Sequence, residues 1–173
     1  MNTNELTWIC GLIDDRINEE IASICKRNNK DIGLPENVFK LPLHISMKKS
    51  FYTDDFTSVK KDIINFVQKR GKLRLETMAP ICHKNMIWIP IRMNNDIVSW
   101  HQELDNMLKD KYQIVINDYD KSFKPHISLF TKGTPEQIKE IYPLLVKELK
   151  PIKMDIKRFV IGSSHHHDEY FYV

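Results

Sequence analysis

The chain has 173 residues, enough for one domain with a real hydrophobic core. Its 26 basic and 23 acidic residues leave a net charge of only +3. That excludes the strongly basic surface which tight, sequence-blind binding to long nucleic acid requires, but not a small phosphate-bearing ligand held by a few local groups.

Taken in order, the chain alternates short strands with amphipathic helices. Residues 6–12 read as a buried strand, followed by a helix from about Asp15 with Ile17, Ile21, Ile24 and Cys25 on one face. After a loop containing Gly33 and Pro35, a strand is expected over 41–51. Thr53 or Asp54 is placed to cap the next helix, whose apolar face is Phe56, Val59, Ile63, Phe66 and Val67. Gly71 ends that helix, and a strand over 73–82 follows.

The rhythm then starts again. Residues 86–93 read as a strand, and Asn95 opens a helix with Ile97, Trp100, Leu104, Met107 and Leu108 on one side. A polar loop with Asn117, Asp118 and Asp120 leads to a strand over 124–130. Thr134 and Gln137 form a capping-box pattern ahead of a fourth helix, although Pro143 within it argues against continuity. Strands over 152–161 and 170–173 close the chain. Trp8-Ile9 and Trp88-Ile89 are 80 residues apart, and His44 and His126 are 82 apart. The layout is that of a duplication, one domain made of halves spanning about 1–84 and 85–173.

Two motifs carry the chemistry. Pro42-Leu43-His44-Ile45-Ser46 and Pro125-His126-Ile127-Ser128 each lie in a strand-like run. Side chains alternate faces along a strand, so His44 and Ser46 share one face while Leu43, Ile45 and Met47 take the other. His126 and Ser128 repeat the pattern. Brought together, one neutral imidazole takes a proton from an attacking oxygen and an imidazolium gives one to the departing oxygen. The serine hydroxyls donate to the non-bridging phosphate oxygens, and neither step calls for a metal or a cofactor. Continuing the alternation puts Lys48 on the face of His44 and Ser46, either steadying a phosphate or standing as a solvated lysine at the strand end beside Lys49. Phe130 takes the equivalent place in the second half, either stacking on a base or serving as an exposed-edge or core phenylalanine.

Paired His-x-Ser/Thr motifs, one in each half of a duplicated α/β chain, resemble those of the 2H phosphoesterase superfamily, in particular its 2′-5′ RNA ligase-like and cyclic phosphodiesterase members. The resemblance implies an α+β, bilobal fold of two antiparallel sheets facing a central cleft, with helices outside. It implies hydrolysis of 2′,3′-cyclic phosphates or 2′-5′ linkages, so that the partner is an RNA end, a cyclic nucleotide or a short oligonucleotide. Carried onto this chain, His44 and His126 become acid and base, and Ser46 and Ser128 the phosphate holders. Serine stands in both motifs where threonine is commoner, which keeps the hydroxyl. Thr131, five residues past the second histidine, is not the basic residue that some relatives carry there.

Alternatives stay open at this level: a non-catalytic nucleotide- or RNA-binding module of the same fold, or a hydrolase of cyclic oligonucleotide messengers. Ligation ranks below hydrolysis, because the chain has no nucleotide-activating lysine motif. Trp8, Trp88 and Trp100 read as core residues, His165-His166-His167 as a solvated hairpin turn, and Cys10, Cys25 and Cys82 as free thiols. Residues 1–5 lack a signal-peptide pattern and no run is long enough for a membrane span. A cytoplasmic monomer is expected.

Overall fold

The computed structural model describes residues 5–35 and 42–173. The start of the expected strand over 41–51, at Leu41, lies outside the described residues. The elements are β1 (Glu5–Leu12), α1 (Asp15–Asn29), β2 (His44–Thr53), α2 (Phe56–Arg70), β3 (Leu73–Glu76), β4 (Ile81–His83) and β5 (Met86–Pro90), then α3 (Asn95–Tyr112), α4 (Asp118–Lys121), β6 (His126–Phe130), α5 (Pro135–Glu148), β7 (Lys153–Ile156), β8 (Arg158–Ser163) and β9 (Glu169–Tyr172).

Local chemistry sets the helix ends. Side chains of Asp14, Asp55 and Asn94 accept hydrogen bonds from the first free backbone N–H groups of α1, α2 and α3. The cap of α2 is therefore Asp55 and not Thr53 or Asp54; the Thr53 hydroxyl instead accepts from the Asp55 N–H at the end of β2. Gly71 closes α2 with φ 74°, a conformation that a side chain would strain. The Thr134–Gln137 capping box forms, with Pro135 in the first turn. Helix α5 runs unbroken through Pro143, which sits on the exposed side where water can satisfy the carbonyl left without a partner.

The strands form a mixed α/β fold with antiparallel sheets. The main sheet has the order β4-β5-β6-β2-β1-β8-β9, and β3 pairs with β7 in a separate two-stranded ribbon. The expected strand over 73–82 is broken in two. Thr77 pairs with Ile91, Met78 donates to the Pro90 carbonyl, and the chain thereby crosses from the ribbon to the main sheet before Pro80. The division at about residue 84 falls at the tip of the β4–β5 hairpin. Strands from either side of it pair, β8 with β1 and β7 with β3.

One face of the main sheet carries Ile9, Ile45, Met47, Ile87, Ile89, Ile127, Leu129, Phe159 and Ile161 into a continuous core with the apolar stripes of the helices. Helices α1 and α5 pack together, as do α2 and α3. Trp100 is in this core, whereas Trp8 and Trp88 are half-buried on the other face. No helix among the described residues is long and apolar enough to cross a membrane.

The cysteines are free, with Cys10 and Cys25 buried and Cys82 exposed. Burial pushes both inner thiols up to about 12. Ellman's reagent at mildly alkaline pH is therefore expected to titrate one thiol in the native protein and all three after unfolding. Rapid reaction of a second native thiol would contradict the packing.

Candidate active site

The site lies on the sheet face opposite the core, where β2 meets β6. These two strands are joined in antiparallel register at Ile45 and Ile127. That register sets His44 across from Ser128 and Ser46 across from His126. Directly opposite residues in such a pair lie about 4.5–5.5 Å apart at Cα or Cβ, so the four side chains form a compact checkerboard.

Neighbouring strands extend it into two rows. Leu12 pairs with His44, and Trp88 with Ser128, giving Leu12–His44–Ser128–Trp88. Cys10 pairs with Ser46, and Pro90 with His126, giving Cys10–Ser46–His126–Pro90. Cys10 and Leu12 also pack with Val160 of β8 into a small apolar cluster. The four predicted polar residues are thus brought together, each half-buried, against apolar neighbours.

Both imidazoles are oriented in the same way. His44 Nδ1 is 3.0 Å from the Pro42 carbonyl oxygen, and His126 Nδ1 is 2.8 Å from the Lys124 carbonyl oxygen. A carbonyl only accepts, so Nδ1 carries the hydrogen in each ring and Nε2 is the end left for chemistry. The two bonds are equivalent, each reaching back two residues. Trp88 lies against His126 with ring centroids 4.3 Å apart, and His83 stacks on Trp88 at 5.6 Å with the planes 6° apart. His126 therefore has an aromatic wall beside it.

Lys48 and Phe130 do not join the site. In β2 the register shifts, with Cys10 opposite Ser46 but Ile9 opposite Lys48. In β6 it shifts too, with Trp88 opposite Ser128 but Ile87 opposite Phe130. Each shift is a β-bulge, which inserts one residue and reverses the alternation beyond it. Met47 and Lys48 are consequently both buried, as are Leu129 and Phe130. Neither Lys48 nor Phe130 faces the histidines, so the phosphate-steadying and base-stacking roles expected of them are withdrawn.

Lys48 instead enters a buried ionic cluster. Its ammonium donates to Asp105 Oδ1 and Asp120 Oδ2, both at 2.7 Å, and its side chain is 1% exposed. His101 lies beside both carboxylates, with Nδ1 3.7 Å from Asp105 and Nε2 3.9 Å from Asp120. Burial holds His101 below the ordinary histidine value, against the pull of the two carboxylates. His101, Asp105 and Asp120 each bring a ligand atom within 4.8 Å of the others, a spacing that a metal ion could use. The Lys48 ammonium already supplies the cation between the two carboxylates.

The triple-histidine segment forms an exposed turn after β8, as expected. His166 Nδ1 lies 2.8 Å from Glu5 Oε2, and its ring stacks on Phe56 at 4.8 Å. The residue that sequence reasoning missed is Trp88. It alternates with Ile87 and Ile89, the same pattern that separates His44 from Leu43 and Ile45, and that pattern was the available signal.

The family profile described as the 2′-5′ RNA ligase superfamily matches residues 13–168, which takes in both motifs and every element from α1 to β8. The chain belongs to that superfamily. Solved structures agree on the fold. E. coli LigT complexed with 3′-AMP superposes with TM-score 0.60 at 10% identity, over 98% of this chain and 95% of that one. LigT complexed with phosphate gives 0.52 at 12% identity over the same shares. Kluyveromyces marxianus Usb1 with uridine monophosphate gives 0.52 at 7% identity, over 99% and 98%. No curated protein matches the chain by sequence. Within this superfamily, phosphoesterase and RNA-ligase-like chemistry is the general activity.

Proposed function

We propose that the protein is a phosphodiesterase that opens 2′,3′-cyclic phosphates, or cuts 2′-5′ linkages, at an RNA end or in a small nucleotide. The reading takes the chain as one domain and a cytoplasmic monomer. The observation that carries it is the matched orientation of the two rings: each Nδ1 is tied to a carbonyl two residues back, which leaves two Nε2 atoms beside two hydroxyls.

The step balances with these groups. One neutral imidazole accepts a proton at Nε2 from water, whose oxygen bonds to phosphorus. The bond from phosphorus to one ribose oxygen breaks, and the other ring, as imidazolium, protonates that oxygen from its Nε2. A phosphomonoester and a free hydroxyl result. Ser46 and Ser128 donate to the non-bridging oxygens, where negative charge concentrates. That 3′-AMP, uridine monophosphate and phosphate are bound by structural neighbours fits a ligand of this size and charge.

The test is a pH–rate profile on adenosine 2′,3′-cyclic phosphate with and without chelator. One ring must be neutral while the other is protonated, so a bell-shaped profile unchanged by chelator is expected. A rate abolished by chelator and restored by a divalent ion would overturn the proposal. Calorimetric binding without product would assign the chain to the binding-module reading.

A further inference from the structure

We infer that Lys48 is a positioning residue that holds the two catalytic strands in register through the buried cluster with Asp105 and Asp120. The inference rests on the acid–base reading above. Among the described residues, the ladder between β2 and β6 contains a single pair, Ile45 with Ile127. By contrast β1 and β2 are paired along almost their whole length. Acid–base catalysis by two rings depends on their separation, and misplacement of about 1 Å is enough to lower the rate ~10²-fold. Something beyond one ladder pair must therefore fix His126 relative to His44.

The cluster spans that gap. Lys48 lies on β2, four residues beyond His44, and the bulge turns its side chain away from the site and into the interior. Asp120 lies in α4, six residues before His126. Besides the His101 ring at 3.9 Å, it accepts from backbone: Oδ2 from the Asn117 N–H at 3.2 Å and Oδ1 from the Lys49 N–H at 3.4 Å. One carboxylate thus ties β2 directly to the segment that leads into β6. Asp105 anchors the same ammonium to α3. Next to Asp105 in the cluster, the His101 ring stacks on Phe123 at 3.8 Å. Phe123 immediately precedes Lys124, whose carbonyl orients the His126 ring. A chain of contacts therefore runs from the first motif strand to the atom that aims the second histidine.

A greasy contact at this place would fill the space but would not set a direction. Two 2.7 Å charge-assisted bonds do, because an ammonium caught between two carboxylates tolerates little displacement. The cost of burying three charges is consistent with a retained role in register more than in bulk stability.

The test uses three variants of the full chain: Lys48→Met, the fully discharged Lys48→Met/Asp105→Asn/Asp120→Asn, and Lys48→Arg. The discharged variant leaves no unpaired charge and remains informative if Lys48→Met fails to fold. Each is assayed on adenosine 2′,3′-cyclic phosphate below its melting transition, and the His44 and His126 ring signals are followed by NMR. The discharged variant is expected to lose at least tenfold in kcat with KM within about twofold, and to shift the His126 ring signals, whereas Lys48→Arg recovers part of the rate. A discharged variant that is folded, turns over at the wild-type rate and keeps the His126 signals in place would overturn the inference. If the wild-type protein does not open the cyclic phosphate at all, the acid–base reading fails by itself. The ring signals of the discharged variant then decide the positioning of His126 alone.

Discussion

Replacing His44 or His126 by alanine is expected to lower kcat/KM on a 2′,3′-cyclic nucleotide by about 10²–10⁴, with the fold retained. The size follows from what each ring does. Neither is buried deeply enough to matter much for packing, and each loses only one backbone hydrogen bond, so circular dichroism and melting should change little. The loss falls on proton transfer. Because the two rings act in one step, the double variant should be little worse than the poorer single one. Independent, multiplying losses would argue that the histidines serve separate steps. Wild-type turnover in either single variant would remove that ring from the chemistry.

The second large effect is on stability. Lys48→Met leaves the Asp105 and Asp120 carboxylates facing each other in the interior without their counter-charge. Breaking a buried ion pair from one side costs about 3–5 kcal/mol, a large fraction of the ~5–15 kcal/mol that holds a typical domain together. An exposed pair behaves differently. Lys60 and Glu169 lie 2.6 Å apart but are 30% and 48% exposed, and removing that lysine should cost less than about 1 kcal/mol. Urea unfolding of Lys48→Met and Lys60→Met separates the two cases. Equal midpoints would show that the Lys48 ammonium is solvated and that the cluster is not the buried unit described above.

The parts of the site that sequence made legible are those set by local alternation. His44 with Ser46, and His126 with Ser128, follow from the period of two and from matched prolines, and the structure sets these residues on one face. The cap at Thr134 and the stop at Gly71 are equally local. The missed features arise from pairing between distant segments. Nothing within His44-Ile45-Ser46-Met47-Lys48 announces a bulge; it appears only because β1 skips Met47. The same holds for Phe130 against β5. A lysine buried at one point requires anions elsewhere, and here sequence did hold a clue. His101 and Asp105 lie on the apolar stripe of α3 beside Ile97, Leu104 and Leu108, a place where unpaired polar groups are costly. Their partner could not be named without the fold.

Strand order was also out of reach. Local patterning says that 158–163 is a strand but not that it joins β1, because its β-branched and aromatic residues suit any half-buried sheet position. Trp88 shows the reverse failure, since its alternation was visible but its size suggested the core. Beside His126 it provides an apolar wall that excludes water from one side of the ring.

The central claim is that two histidines deliver water to phosphorus. The most direct measurement is hydrolysis of adenosine 2′,3′-cyclic phosphate in ¹⁸O-labelled water with chelator present, with products read by mass spectrometry. The expected result is adenosine monophosphate carrying one ¹⁸O on phosphorus, formed by the wild-type protein and strongly reduced in the His44→Ala and His126→Ala variants. Bound but unconverted cyclic nucleotide, or product formed equally well by both variants, would contradict it.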